Sequence, residues 1–240
     1  MTFKNVYKKI KNSLFRLYMK PVHVLCFHHV TECFDEVSMK SCDWMPLNEF
    51  QSYIVDQEKR GVRFLSLDDA YNHIRNDVFR GVEYMAITFD DGYASLKEVI
   101  PWLMGKMIPV TLFINGKYLD GKSYRESSSE LYLSTADLKA MKTMYGGLIN
   151  YQSHGWEHVD ARFLTAEQFN ETLNHNIIFL SKLNNAPVRF HAFTWGRYSK
   201  ENIKILNSSN IIPVALDGQK NWKEYGYVHR EMIPLANGEP

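Results

Sequence analysis

Residues 84–92 read YMAITFDDG, a short apolar run that ends in two adjacent carboxylates and a glycine. The run has the length and the β-branched and aromatic content of a buried strand. Gly92 allows the chain to turn sharply after Asp90 and Asp91. Two neighbouring carboxylates repel each other unless a cation or a proton separates their roles. The stretch therefore predicts either a metal-assisted site at a strand end or an ordinary solvated turn.

Similar apolar runs recur along the 240 residues, and amphipathic stretches of helical length separate most of them. The predicted strands are Val22–Phe27, Val62–Leu65, Tyr84–Phe89, Val110–Ile114, Leu148–Gln152, Arg189–Phe193 and Ile211–Leu216. The predicted helices are Leu47–Arg60, Leu67–Asn76, Ala94–Met107, Ser134–Met144, Thr165–Asn184 and Ser199–Asn207. This alternation is typical of parallel βαβ units. It predicts an α/β fold, a distorted (β/α) barrel of about seven parallel strands.

Chemically unusual residues follow four of the predicted strands directly. They are His28-His29, Asp90-Asp91, His154 and Thr194-Trp195-Gly196. In a β/α barrel, the carboxyl ends of the strands build the active site. We therefore expect these groups to form one constellation.

The second motif is NYQSHGWEHVD, residues 150–160. His154, Glu157 and His158 form an H-x-x-E-H string, which is the signature of one class of zinc peptidases. That interpretation requires a continuous helix with Glu157 as the base. Gly155 weakens such a helix, and the motif at residues 88–92 stays unexplained. The peptidase interpretation is therefore disfavoured.

Together with Asp91, the two histidines of this motif make a set of three protein ligands. Three ligands leave a coordination position for water, as a catalytic zinc site requires. A His, His, Asp set suits Zn²⁺, and Co²⁺ or Ni²⁺ fit similar sites. Without a shared ion, His154 and His158 would be ordinary loop residues.

The two motifs, Thr88–Gly92 and Ser153-His154 with His158, resemble the first two motifs of the polysaccharide deacetylases, the NodB-homology family of carbohydrate esterases. Further segments that fit the family are Val24–His28, Asp43–Leu47 with Phe50, Thr111–Ile114 and His191–Tyr198. The early strand that ends in Phe27-His28 is similar to the permuted branch that includes poly-N-acetylglucosamine deacetylases. The likeness spans roughly residues 21–235.

The resemblance implies a metal-dependent hydrolase that removes acetyl groups. Asp91, His154 and His158 would bind the divalent metal, with Zn²⁺ as the first choice and Co²⁺ or Ni²⁺ as alternatives. Asp90 would be the general base. The resemblance also implies a NodB-type barrel.

The remaining catalytic roles follow from the resemblance less directly. In the permuted branch the early histidine supplies the acid, which implies His28, with His229 as a second candidate. The backbone N–H of Trp195 would complete an oxyanion hole. The family's third motif carries an arginine that braces the base, but Ala192 stands at that position. The bracing of Asp90 is therefore unassigned by the motif.

Four aromatic side chains are predicted to offer flat surfaces for sugar rings, although each of them could instead pack in the core. They are Tyr93, Trp156, Phe193 and Trp222, and the ring of Trp195 is a further candidate.

Residues 1–20 are predicted to form a basic amphipathic helix, and residues 21–240 the catalytic domain. Such a helix can lie on an anionic membrane surface, or it can dock on its own domain. A net charge of +1 gives no reason to expect a nucleic-acid partner. Three cysteines without a C-x-x-C pattern indicate a reducing compartment. No apolar run is long enough to span a bilayer. We therefore expect a cytoplasmic protein with peripheral contact to the inner membrane face.

The expected substrate is an acetylated amino-sugar glycan, or a lipid-linked or nucleotide-linked sugar used in surface-polysaccharide assembly. The alternative is a catalytically silent glycan-binding or scaffold protein of the same fold, which the unusual third motif would suit. Acetate release together with metal content distinguishes the two.

Overall fold

The structure is a computed structural model that describes residues 20–32, 44–76, 81–120, 132–221 and 226–233. The predicted N-terminal helix lies outside these residues, except for Lys20, whose Nζ is 3.2 Å from a carboxylate oxygen of Glu83. Trp222 also lies outside them. None of the helices in the described ranges has both the length and the apolar content that crossing a bilayer requires.

A closed ring of parallel strands forms the centre of the fold. The described ranges contain ten strands, seven of which form this ring: β1 (Val22–Phe27), β2 (His29–Thr31), β3 (Trp44–Pro46), β4 (Arg63–Phe64), β5 (Tyr84–Phe89), β6 (Val110–Ile114), β7 (Ile149–Ser153), β8 (Phe190–Ala192), β9 (Ile212–Leu216) and β10 (Val228–Met232). The ring runs β1-β10-β9-β8-β7-β6-β5 and closes because β1 also pairs with β5. Strand β4 pairs with the start of β5 beside the ring, and β2 with β3 forms a separate small sheet.

Six α-helices lie in the described ranges. They are α1 (Leu47–Lys59), α2 (Leu67–Arg75), α3 (Leu96–Gly105), α4 (Thr135–Tyr145), α5 (Ala166–Asn184) and α6 (Lys200–Ser208). Side chains of Ser134, Thr165 and Ser199 begin three of them with capping boxes, which satisfy backbone N–H groups that have no partner inside the helix. Each helix overlaps a predicted one.

Strand alternation separates an inner from an outer core. Val22 and Val24 of β1 pack with Ala86 of β5 in a cluster that also holds Phe113 and Phe190. Their neighbours along the same strands pack in the other large cluster, which includes side chains of α1 and α3. Because side chains alternate across a strand, the inner row of β1 continues at Cys26 and that of β5 continues to Asp90. The barrel interior therefore receives a thiol and a carboxylate at one end.

The predicted barrel of seven strands is confirmed, but one member of the ring differs from the prediction. The predicted strand Val62–Leu65 is reduced to β4, which lies beside the ring. The seventh strand is β10, which pairs with β9 and β1 and closes the barrel. Strand β10 was not predicted from the sequence because His229, Arg230 and Glu231 interrupt its apolar pattern.

Candidate active site

The candidate site begins where β1 and β5 end side by side. These strands pair in register, with Phe27 opposite Phe89. The backbone N–H of Asp90 continues the pairing by donating to the carbonyl oxygen of Phe27 at 2.9 Å. His28 and Asp90 therefore leave neighbouring strands at the same level.

A tight turn separates the two adjacent carboxylates. Asp91 and Gly92 both have left-handed backbones, with φ of 67° and 82°. A β-carbon at position 92 would lie 2.6 Å from Cδ1 of Ile114, the end of a flexible side chain that could shift, so the left-handed backbone is the main reason for glycine here. Both carboxylates are buried, Asp90 at 2% and Asp91 at 5% exposure. The turn directs them to different partners.

Asp91 meets the two histidines of the second motif. Its Oδ1 lies 3.4 Å from Nε2 of His154 and 3.4 Å from Nε2 of His158. One donor atom from each of the three residues lies within 4.8 Å of the other two. Oδ1 of Asp91 is buried and receives no hydrogen bond from the described residues. Burying a carboxylate oxygen in this way is unfavourable unless a cation or a donor compensates it. The donor set therefore fits a divalent metal ion.

Surrounding groups prepare both histidines for that role. Nδ1 of His154 lies 2.8 Å from the carbonyl oxygen of Ala192, so the Nδ1–H donates there and Nε2 is left with a lone pair toward Asp91. The backbone N–H of His158 donates to the hydroxyl of Tyr118 at 3.2 Å. Burial lowers the pKa of His158 to about 4, although Asp91 acts in the opposite direction. At neutral pH His158 is therefore an uncharged imidazole, the form that binds metals.

Glu157 does not belong to this cluster. Its carboxylate pairs with Nζ of Lys117 at 2.8 Å, and its side chain is 41% exposed. Residues 154–158 form an irregular loop rather than a helix. The continuous helix that the peptidase interpretation requires is absent.

Asp90 is held by an arginine that the sequence motifs did not identify. Nη1 and Nη2 of Arg230, from β10, donate to Oδ1 and Oδ2 of Asp90 at 2.6 and 2.8 Å. Arg230 is fully buried. Arg230 therefore takes the place of the arginine that the family's third motif would supply at position 192, and it comes from a different strand of the barrel. The bidentate pair fixes the orientation of the carboxylate.

Burial and charge act in opposite directions on this pair. Burial raises the pKa of Asp90, but the Arg230 guanidinium, with a smaller effect from His154, holds it well below its usual value of 3.8. Burial also lowers the pKa of Arg230, and Asp90 more than compensates, so that pKa lies above its ordinary value. Both groups therefore stay ionised at neutral pH.

The two candidate acids lie in different surroundings. A ring nitrogen of His28 lies within 4.8 Å of both Cys26 Sγ and an Asp90 oxygen. His229 is the neighbour of Arg230 on β10 and therefore projects from the opposite face of that strand. There its Nδ1 lies 2.7 Å from Oδ2 of Asp217. Of these two histidines, His28 is the one that lies beside Asp90.

Trp195 lies next to the candidate metal ligands. Its backbone is left-handed, with φ of 53°. Its indole ring stands perpendicular to the ring of His158, with centroids 4.4 Å apart, and the residue is 46% exposed. An exposed indole thus flanks the cluster.

Two of the predicted sugar-contacting rings are buried. Phe193 is 1% exposed and packs in a cluster with Phe169 and Leu173. Tyr93 is 9% exposed and stacks on His29, with centroids 3.5 Å apart. Neither ring offers a free face to a substrate, and sequence alone could not separate packing from exposure here.

Trp156 lies away from the cluster, between its loop and α5. Its ring stacks on His175 with centroids 3.9 Å apart. It also lines a pocket of about 390 Å³ together with Thr172 and Leu164. This pocket is on the side of the loop that faces α5.

Solved structures share this fold. The Streptococcus pyogenes deacetylase PplD, in complex with acetate, superposes with a TM-score of 0.77 at 19% identity over 90% of this chain and 93% of that one. IcaB from Ammonifex degensii gives 0.77 at 21% identity, over 89% and 92%. A de-N-acetylase from Aggregatibacter actinomycetemcomitans gives 0.72 at 17% identity, over 90% and 95%.

Sequence comparison also finds similarity to polysaccharide deacetylases. YxkH of Bacillus subtilis (strain 168), provisionally named as a polysaccharide deacetylase, is 22% identical over 161 residues, which is 67% of this chain and 54% of the relative. The chain therefore spans about half the length of that curated relative. The polysaccharide deacetylase family model matches residues 80–213. Because that match covers more than half of the sequence and includes both carboxylates and both histidines, the chain belongs to the polysaccharide deacetylase family.

Proposed function

We propose that the protein is a metal-dependent hydrolase that removes acetyl groups from an amino-sugar glycan. The proposal rests on the observation that two adjacent carboxylates have different partners. Asp91 lies 3.4 Å from two histidine nitrogens, whereas both oxygens of Asp90 are bonded to Arg230. One carboxylate is thus available to a metal and its neighbour remains available as a base.

In this proposal Asp91, His154 and His158 hold the ion. A divalent ion held there would lower the pKa of a water molecule from ~15.7 toward ~7 and would polarise the acetyl carbonyl. Asp90 accepts a proton from the attacking water. Its low pKa makes it a weak base, but this suffices because the water is itself acidified. Arg230 keeps the carboxylate ionised and pointed at the water.

The other two roles complete the reaction. The backbone N–H of Trp195 donates to the carbonyl oxygen as it gains negative charge, a contact of a kind that contributes about 3–4 kcal/mol. His28 gives a proton to the leaving nitrogen as the C–N bond breaks. The products are acetate and a free amine on the sugar.

Two features support an enzyme over a silent binding protein. The base, the three candidate ligands and a candidate acid are all present and lie together. The solved structures named for deacetylation or bound acetate share the fold across almost the whole chain. We propose an N-acetyl substrate because His28, placed beside Asp90, supplies the proton that an amine leaving group needs and an ester does not.

The proposal is tested by assaying acetate release from N-acetylglucosamine oligomers with the zinc-loaded protein. Release that depends on both zinc and Asp90 is expected. Bound metal without hydrolysis of any acylated sugar would instead favour the binding-protein alternative.

Removal of the metal is expected to abolish acetate release and to lower thermal stability. An ion that binds only the folded state stabilises it by about 2.7 kcal/mol at a free concentration 100 times Kd. Zinc, cobalt and nickel are each added back after chelation, and activity and Tm are measured. His158→Ala should weaken metal binding by at least about 100-fold, because losing even an outer-shell partner costs 10–100-fold.

The matched control for this substitution is His73→Ala, since His73 lies on α2 and contacts Tyr84 rather than the cluster. Equal metal affinity in His158→Ala and wild type would remove His158 from the ligand set.

Replacing His28 with asparagine should slow amide cleavage far more than ester cleavage. A general acid contributes about 10²- to 10⁴-fold, and an aryl acetate needs little help because its leaving group is already stable as an anion. Rates on an N-acetyl sugar and on an aryl acetate are compared for the same preparation. His229→Asn is the control, because His229 is bonded to Asp217 on the outer face. Equal losses on both substrates would contradict the acid role of His28.

A further inference from the structure

A second cluster of metal-ligating side chains adjoins the first. One donor atom each from Cys26, His28 and Asp90 lies within 4.8 Å of the other two. Sγ of Cys26 lies 3.5 Å from Oδ2 of Asp90. The reaction proposed above uses the imidazole and the carboxylate, but it leaves the thiol without a role. Cys26 is nevertheless in direct contact with the base.

We propose that Cys26, His28 and Asp90 form an inhibitory site for a second, thiophilic divalent cation, Zn²⁺ or Cd²⁺. The inhibition rests on the proposed function, whereas the binding does not. The site is separate from the set of Asp91, His154 and His158, because it shares no donor with it.

The donor chemistry and spacing suit such an ion. Zinc binds sulfur at about 2.3 Å and nitrogen or oxygen at about 2.0–2.2 Å, so neighbouring donors around it are about 3–4 Å apart. The distance of 3.5 Å between Sγ of Cys26 and Oδ2 of Asp90 already falls in that range. The thiol proton is released to solvent as the metal–sulfur bond forms. His28 is half-buried and lies at the open side of the cluster, whereas Cys26 is 1% exposed.

The charges around this cluster make the site weaker than the first one. Arg230 places a positive charge against Asp90, but the carboxylate and the thiolate together outweigh it. An ion in the first site would also be near, since Oδ2 of Asp90 lies 3.8 Å from Nε2 of His154, one of its candidate ligands. We therefore expect the second cation to bind only after the first site is filled. Mg²⁺ and Ca²⁺ prefer oxygen ligands and should not bind to a thiolate–imidazole pair.

A cation at this position would stop the reaction. Oδ2 of Asp90 could no longer accept the proton of the attacking water, and the ring nitrogen of His28 could no longer deliver one. Both proton-transfer groups would be ligands at the same time. Excess zinc should therefore inhibit the enzyme that one equivalent of zinc activates.

Binding is tested first, without any substitution at the site. The variant Cys33→Ser/Cys42→Ser leaves Cys26 as the single thiol of the chain. After loading with one equivalent of Zn²⁺, it is titrated with Cd²⁺. The expected result is a cadmium–thiolate charge-transfer absorption that saturates with one further ion, and that is lost when Cys26→Ala is added. If no thiolate absorption develops in Cys33→Ser/Cys42→Ser, the site does not exist.

Inhibition is then measured on the zinc-loaded full chain, with each variant normalised to its own uninhibited rate. Cys26→Ala and Cys26→Ser should both need at least about tenfold more zinc for half-inhibition, while Cys33→Ser/Cys42→Ser should match wild type. Magnesium at the same concentrations should not inhibit. Equal zinc sensitivity in the Cys26 variants would overturn the inhibitory role. A protein that releases no acetate would fail the proposed function, and the cadmium titration would still decide the site.

Discussion

Replacing Asp90 with asparagine is expected to lower kcat/KM for acetate release by about 10²- to 10⁴-fold, the usual loss when a general base is removed. Asparagine keeps the size of the side chain but cannot take a proton from water. The metal should stay bound, because Asp91, His154 and His158 are unchanged. Initial rates and metal content, measured on one preparation loaded with one equivalent of zinc, test both statements.

A control variant makes that result specific. Glu157→Gln should retain near-wild-type rates, because Glu157 is half-exposed and pairs with Lys117 outside the cluster. A large loss of activity in Glu157→Gln would instead indicate that Glu157 is the base, as the peptidase interpretation requires. Wild-type turnover in Asp90→Asn would show that the assigned base is wrong.

The second large effect is expected from Arg230→Met. This change leaves Asp90 as a fully buried charge without its partner, and breaking a buried pair in this way typically costs about 3–5 kcal/mol. Activity should fall with stability, because the carboxylate also loses the two hydrogen bonds that orient it. Denaturant unfolding and acetate release measure the two effects separately.

A double variant shows whether the pair acts as a unit. Asp90→Asn and Arg230→Met each leave one buried charge alone, whereas the combination removes both charges. The double variant should therefore be more stable than either single variant, although it should stay inactive. Strictly additive losses of stability would mean that the two residues do not form the pair described above.

The pH dependence of stability should differ in sign between wild type and Arg230→Met. In the wild type the pKa of Asp90 lies below its unfolded value of 3.8, so the contribution of the pair is complete above pH about 4 and is lost as the pH falls further. Without Arg230, burial, which raises the pKa of Asp90, is opposed by the smaller effects of His154 and His28, so we expect that pKa to rise above 3.8. Stability of the variant should then decrease as the pH rises through that raised value. The difference between the two proteins should be largest at neutral pH, as unfolding measured across pH 3–8 would show.

Much of the fold could be predicted from sequence because the barrel repeats one local pattern. Apolar runs such as Val22–Phe27 and Tyr84–Phe89 coincide with the strands found. The groups that follow them, His28, Asp90 and Asp91, are brought together because the carboxyl ends of parallel strands meet at one end of a barrel. Proximity of the candidate ligands thus follows from topology.

Arg230 could not be predicted in this way because it lies in a strand with a mixed pattern. Val228, Arg230 and Met232 share one face of β10, and the first of these packs in the inner core. That alternation places a charge inside the barrel, where it needs a partner. Read as a strand, residues 228–232 would have indicated a carboxylate partner, but the three polar residues in succession concealed the strand.

The aromatic predictions depended on burial, which a single sequence does not show. Trp195 is exposed beside His158, whereas Phe193, two residues earlier, is enclosed in the core. Tyr118 was missed because its contribution is a hydroxyl that accepts from the His158 backbone, a contact set by tertiary packing across 40 residues of chain. Such contacts have no signature in local sequence.

In the proposed reaction, a metal held by Asp91, His154 and His158 acts together with Asp90 as the base to release acetate. The most direct test is acetate release from N-acetylglucosamine oligomers by the protein reconstituted with one equivalent of zinc, compared with the metal-free protein and with zinc-loaded Asp90→Asn. We expect acetate from the reconstituted wild type and a loss of about 100-fold or more in the other two samples. Zinc bound at one equivalent with no acetate released, or equal rates in all three samples, would show that this metal and this base do not carry a deacetylase reaction.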